Sequence, residues 1–239
     1  MRKIIFLFII GLSFLSCADD NNSSSSIPAD EQLSTGPEAK SEYDASSYGV
    51  YKGIFIGSSG TVYVNIYNNG LVSAKMKIND VDYNYTTTES VSEGQPITGL
   101  TFTSGSSSFD FSVDADGENP TIDNLNISGH PNPYAQILKE YSFEHIKCYL
   151  GTFSGDDSGV FNIATTSNPE TPNDNYTLGL AVPTGEINAI YLDGIVSGTS
   201  ISGTFEGGTF SGTISKNTMS GNWQNETLQS GSWTATRKL

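Results

Sequence analysis

Positive charge is scarce in this chain: 11 Lys and Arg stand against 26 Asp and Glu, for a formal net charge of −15 over 239 residues. A nucleic-acid partner requires clustered bases to meet its phosphates, and an anionic lipid surface makes the same demand, so neither is expected. Charge of both signs reaches only 15%, against roughly 25% in ordinary soluble domains. Stacking and hydrogen bonding are therefore left as the main means of recognition. There are two histidines and two cysteines. Neither His130 nor His145 has a second His or Cys at metal-ligand spacing, so no metal centre and no cofactor is expected. No Gly-x-Ser-x-Gly stands at a strand-to-helix elbow. A pair such as Glu140 and Glu144 has the chemistry of a glycosidase, but so acidic a chain yields such pairs by composition alone. The expectation is a protein that does not catalyse.

Long apolar runs are missing too. The longest, Ile4 to Leu15, follows Arg2 and Lys3 and falls short of the roughly 20 residues a membrane helix needs. Its build is that of a secretory signal over 1–16. The run ends at Phe14-Leu15-Ser16-Cys17, which resembles the lipobox of bacterial lipoproteins, with Phe14 departing from the usual Leu. That resemblance implies acylation of Cys17, which becomes the mature N-terminus, and anchoring in the membrane by several chains. Asp19-Asp20 follows Ala18 and resembles the surface-export signal of Bacteroidota lipoproteins. The address so implied is the outer membrane, with display at the cell surface.

Residues 17–46 hold Asn21-Asn22, the run Ser23–Ser26, Pro28 and Pro37, and few large apolar groups. Such composition buries too little surface to offset chain entropy, and reads as a flexible tether. With Cys17 committed to lipid, Cys148 has no disulfide partner and reads as a buried structural thiol. Its neighbour in sequence, His145, falls on the opposite face of a strand.

From about residue 47 the pattern is alternation broken by Gly, Asn and Asp turns, which predicts an all-β antiparallel sandwich or up-and-down barrel. One hairpin can be read to its register. A three-residue Asn68-Asn69-Gly70 loop pairs Ile66 with Val72, Val64 with Ala74 and Val62 with Met76, leaving one face wholly apolar. Gly70 then takes the left-handed position. Only Pro133 to Glu140 has spacing that suits a short helix, through Ile137, Leu138 and Tyr141.

The motif Tyr51-x-Gly53-x-Phe55-x-Gly57 returns as Tyr149-x-Gly151-x-Phe153-x-Gly155, each copy leading through a polar turn into an apolar strand. The offset suits two small β units, over 47–130 and 147–239 with a connector at 131–146, or two halves of one barrel. Glycines at alternate positions mark a face where a strand or an aromatic ring lies close. The Gly ladder of the second half, ending in Gly221-Asn222-Trp223 and Gly231-Ser232-Trp233, resembles the C-terminal barrels of surface lipoproteins such as transferrin-binding protein B. The Gly-x-Trp motif is also similar to that of lipocalins, which carry it on their first strand. Both resemblances imply architecture and no ligand.

The hairpin register leaves Tyr63 and Tyr67 on the face away from the core, opposite Lys75 and Lys77. Rings on a flat strand face suit sugar stacking or protein anchoring, so Tyr63, Tyr67 and Lys75 are the candidate ligand-binding residues. Asp114, Asp116 and Glu118 offer the oxygen donors calcium prefers, although Gly117 comes too early for an EF-hand loop. The sequence thus points to a lipid-anchored, non-catalytic binder of an extracellular glycan, a host protein or an uptake-system partner. The alternatives are a periplasm-facing structural subunit of an envelope complex and a small hydrolase.

Overall fold

The computed structural model describes residues 33–239. The signal, Cys17, Asp19-Asp20 and the first part of the tether lie outside the described residues. The body is built almost entirely from sixteen antiparallel strands.

The first half is a sandwich. Strands β1 (Gly49–Ile56), β2 (Gly60–Ile66), β3 (Val72–Ile78) and β4 (Val81–Tyr85) form a meander, and β8 (Tyr134–Glu140) pairs with the free edge of β1. Strands β5 (Ile97–Ser104), β6 (Ser107–Val113) and β7 (Thr121–Asn126) make a second sheet. The two sheets share one core in which Tyr51, Phe55, Phe102, Phe109 and Phe111 are fully buried. The predicted register holds, with Ile66↔Val72, Val64↔Ala74 and Val62↔Met76 paired. Gly70 sits at φ 85° in its turn.

Tyr134–Glu140 is a strand, where the sequence predicts a connector with a short helical turn over Pro133 to Glu140. The reason is that β8 is covered on both sides. Ile137 enters the sandwich core and Leu138 packs toward the second half of the chain. Two adjacent apolar residues imitate helical spacing when both faces of a strand are buried. The segment 33–46 likewise differs from the tether expected of it. Its 3-10 turn at Ser41–Tyr43 leads to buried Ser46 and Ser47, and Glu38 makes an ion pair with Lys52 at 2.6 Å. Polar contacts fix this stretch where apolar burial would not.

The second half is a closed eight-stranded up-and-down barrel. Strands β9 (His145–Gly155), β10 (Gly159–Ser167), β11 (Asn175–Pro183) and β12 (Ile190–Ser197) are followed by β13 (Ser200–Phe205), β14 (Gly208–Ser215), β15 (Thr218–Asn225) and β16 (Ser230–Arg237), and β16 closes on β9. Of the two arrangements the repeat allowed, two units or two halves of one barrel, the chain adopts neither in pure form: one copy opens a sandwich and the other a barrel. The motif does the same local work in both. Phe55 pairs with Gly60 and Phe153 with Gly159, each ring occupying the space a Cβ would need.

The halves meet through Ile54, Ile56 and Leu138 on one side and Ile146, Cys148, Ala164 and Leu180 on the other. Cys148 is a free, fully buried thiol pushed up to about 12 by burial. Asn162 of β10 joins the halves by donating to the Phe55 carbonyl at 2.6 Å and accepting from the Ser59 hydroxyl at 2.8 Å.

Candidate functional site

The barrel interior is decided by a period-two pattern. Gly151/Phe153, Gly203/Phe205, Gly208/Phe210, Gly221/Trp223 and Gly231/Trp233 each set a glycine and a ring two residues apart, on one face of a strand. Across the strands, the ring of Phe210 lies where a Cβ on Gly203 would stand, and that of Trp233 where Cβ atoms on Gly212 and Gly221 would stand. Glycine thus makes room inside the barrel for rings wider than a strand spacing. The outward-facing residues of β13 to β16 are hydroxyls and amides, among them Ser202, Thr204, Ser211, Asn222 and Thr234, all exposed. A membrane-spanning barrel needs an apolar band outside; on these four strands the apolar side lies within.

The rings do not fill the lumen. A cavity of about 340 Å³ opens at the end where the β9–β10, β11–β12, β13–β14 and β15–β16 hairpins lie. Its floor is buried Phe161, Phe210 and Trp233, and its rim is half-buried Phe153, Phe205 and Trp223. Edge-to-face packing holds the rings: Phe161 and Trp233 lie 5.4 Å apart at 79°, and Phe153 and Trp223 6.0 Å apart at 85°. Both indole N–H groups are spent on the barrel wall, Trp223 donating to the Ser154 carbonyl at 3.2 Å and Trp233 to the Asn222 carbonyl at 3.1 Å. Apart from the acids and amides of its hairpins, what the cavity offers a ligand is aromatic surface.

The residues singled out from sequence lie elsewhere. Tyr63 pairs with Lys75 as predicted and is half-buried, with the Lys52 ammonium 6.0 Å from its ring centre. Burial, then the charges of Glu38 and Glu140, push its phenol up. Tyr67 leaves the Tyr63 face. A φ of 54° turns it over, and its ring packs on Tyr48 at 4.8 Å beside the sandwich core. The structure therefore does not gather the two tyrosines into one platform. Lys75 lies 3.6 Å from Asp82.

Asp114, Asp116 and Glu118 sit in the β6–β7 turn with their carboxylates engaged locally. Asp114 accepts from the Asn119 side chain at 2.8 Å, Asp116 from the Glu118 backbone N–H at 3.1 Å, and Glu118 from the Tyr141 hydroxyl. The Lys139 ammonium reaches the same turn, where it occupies the space beside Gly117. Among the described residues no group of three or more His, Cys, Asp or Glu is placed to hold a metal ion.

Beneath Tyr63, Lys52 and Glu140 are both fully buried and paired at 2.9 Å, and Glu140 also accepts from the N–H groups of Glu38 and Ile146. Glu140 is thus locked in an ion pair, and the carboxylates of Glu140 and Glu144 do not face a shared cleft. His145 turns to Ser34 at 3.0 Å and to Arg237 at 3.2 Å, away from Cys148. Burial first, then Lys52 and Arg237, lowers its pKa to about 3, so its ring is neutral.

The cavity escaped the sequence reading because its residues are spread over all eight strands, and closure of the barrel alone brings them together. The available signal was the fivefold Gly-x-aromatic pattern, legible as a shared inward face. Comparison with known proteins finds no family model that matches the chain and no curated protein similar to it.

Proposed function

We propose that this chain is a lipid-anchored envelope protein, displayed at the cell surface through Cys17, that binds and does not catalyse, with the open end of the barrel as its binding face. The observation that carries the reading is the ring-lined cavity. It has the size, near the lower end of the roughly 300–1,000 Å³ typical of small-molecule sites, and the apolar lining of a recognition pocket. The build of the first twenty residues supports the address. A glycan, a host protein or a partner of an uptake system remains the class of target, with a glycan ring or an aromatic side chain seated against Phe205 and Trp223.

The test uses the full chain. Cys17→Ser abolishes partition with membranes, and Phe205→Ala or Trp223→Ala weakens binding to hits from a glycan and extracellular-protein array by about tenfold or more, while Tyr63→Ala leaves them intact. Binding that survives both rim substitutions, or turnover of any substrate, contradicts the reading.

A second reading, a subunit of an envelope assembly, is favoured by one feature. Tyr176 and Ile195 pair across β11 and β12 on the barrel exterior, with Tyr191 alongside, and all three are exposed. Tyr191→Ser and Ile195→Ser distinguish it, releasing a co-purifying partner while array binding stays unchanged.

A further inference from the structure

We infer that the barrel mouth selects a small organic cation, an ammonium group carried on an apolar or aromatic body. This inference rests on the mouth being the binding site and adds the class of ligand it takes. The charge at the two ends of the barrel carries it. All four hairpins at the open end bear acids, Asp156 and Asp157, Glu186, Glu206 and Glu226, and none bears a Lys or Arg. All four Lys and Arg of the barrel, Lys147, Lys216, Arg237 and Lys238, lie toward the opposite end.

Three of the acids, Asp157, Glu206 and Glu226, line the cavity itself. Asp157 accepts from the Ser158 N–H at 2.6 Å through one oxygen and keeps the other. The carboxylates of Glu206 and Glu226 are held by no hydrogen bond or ion pair to the described residues. Phe153, Phe205 and Trp223 line the same cavity, and the negative quadrupole of an aromatic ring attracts a cation most strongly where water is excluded. An anion finds no positive charge here: no described Lys, Arg or His lines the cavity, and both indole N–H groups are already donated to backbone carbonyls. A neutral apolar molecule gains the rings but not the carboxylates. The acid rim also draws cations toward the mouth at low ionic strength.

The chain carries its own reporter, since its only two tryptophans, Trp223 and Trp233, both line the cavity. The experiment titrates the full chain, unacylated through Cys17→Ser, with three probes of equal shape: benzyltrimethylammonium, neutral neopentylbenzene and phenylmethanesulfonate. Tryptophan emission is the readout. The expected result is that the cation binds at least about tenfold more tightly than its neutral isostere, that the sulfonate does not bind, and that the preference weakens as salt is raised. Replacing Asp157→Asn, Glu206→Gln and Glu226→Gln together reduces the preference to what the rings alone supply, while the neutral probe still binds, which shows that the barrel is still folded. Equal affinity for cation and neutral probe overturns the charge selection while leaving the mouth as a binding site. Failure of all three probes to alter the emission overturns the mouth as well.

Discussion

Lys52 is fully buried, and among the described residues its ammonium pairs with the carboxylates of Glu140 and Glu38. A buried pair is costly to assemble and costlier to break, because removing one partner strands the other charge. Lys52→Met should therefore lower unfolding free energy by about 3–5 kcal/mol in a urea titration. The double variant Lys52→Met, Glu140→Leu should recover part of that loss. Recovery stays incomplete because the N–H groups of Glu38 and Ile146 lose their acceptor. His145 sets a second prediction. Arg237 only donates, so the Nε2 atom facing it must accept, and the buried ring remains neutral down to about pH 3. An unfolded chain protonates the same ring near pH 6.5, so between these values the unfolded state binds the extra proton and stability falls as pH falls. From pH 6.5 to pH 5 the loss is about 1.5 kcal/mol. His145→Gln, whose amide oxygen can still accept, should flatten stability over that window. An unchanged slope would show that other groups govern it.

Strands and turns show where local pattern suffices. The β2–β3 hairpin was legible to its register because one face had to be apolar and only one loop length achieved it. Gly70 confirms the turn, and a Cβ there would meet nothing within 4 Å. Its substitution therefore costs backbone strain alone: Gly70→Val should destabilise by about 1–3 kcal/mol, with Gly70→Asn close to wild type. Equal melting temperatures for the two variants would contradict this. Inside the barrel the cost is steric. A Cβ on Gly221 would stand 2.6 Å from the Gly212 Cα and 2.7 Å from Trp233. Gly221→Ala should thus destabilise although φ there is ordinary. Pattern misled at β8, where Ile137 and Leu138 serve two different cores, and at Tyr67, whose left-handed backbone no alternation rule foresees. Both depend on contacts with segments distant in sequence.

At the scale of the molecule, a Gly-x-aromatic grammar builds two architectures. In the sandwich the rings meet a second sheet and are fully covered. In the barrel they line a lumen together with aliphatic side chains, and at one end they run out of partners. The all-β class and the up-and-down order of the second half were readable from turn spacing. The open mouth was not, because it exists only once β16 has closed on β9, and because the tyrosines that drew attention from sequence lie at a buried ion pair and a core edge. The account stands on the mouth being where the protein meets its ligand. A ¹H–¹⁵N spectrum of the full chain contains two indole N–H signals, from Trp223 and Trp233, and titration with benzyltrimethylammonium tests the claim directly. The account predicts that both indole signals move in a saturable way while the backbone signals of Tyr63 and Lys75 stay fixed. Two stationary indoles, with shifts gathered around Tyr63 and Lys75, would contradict it.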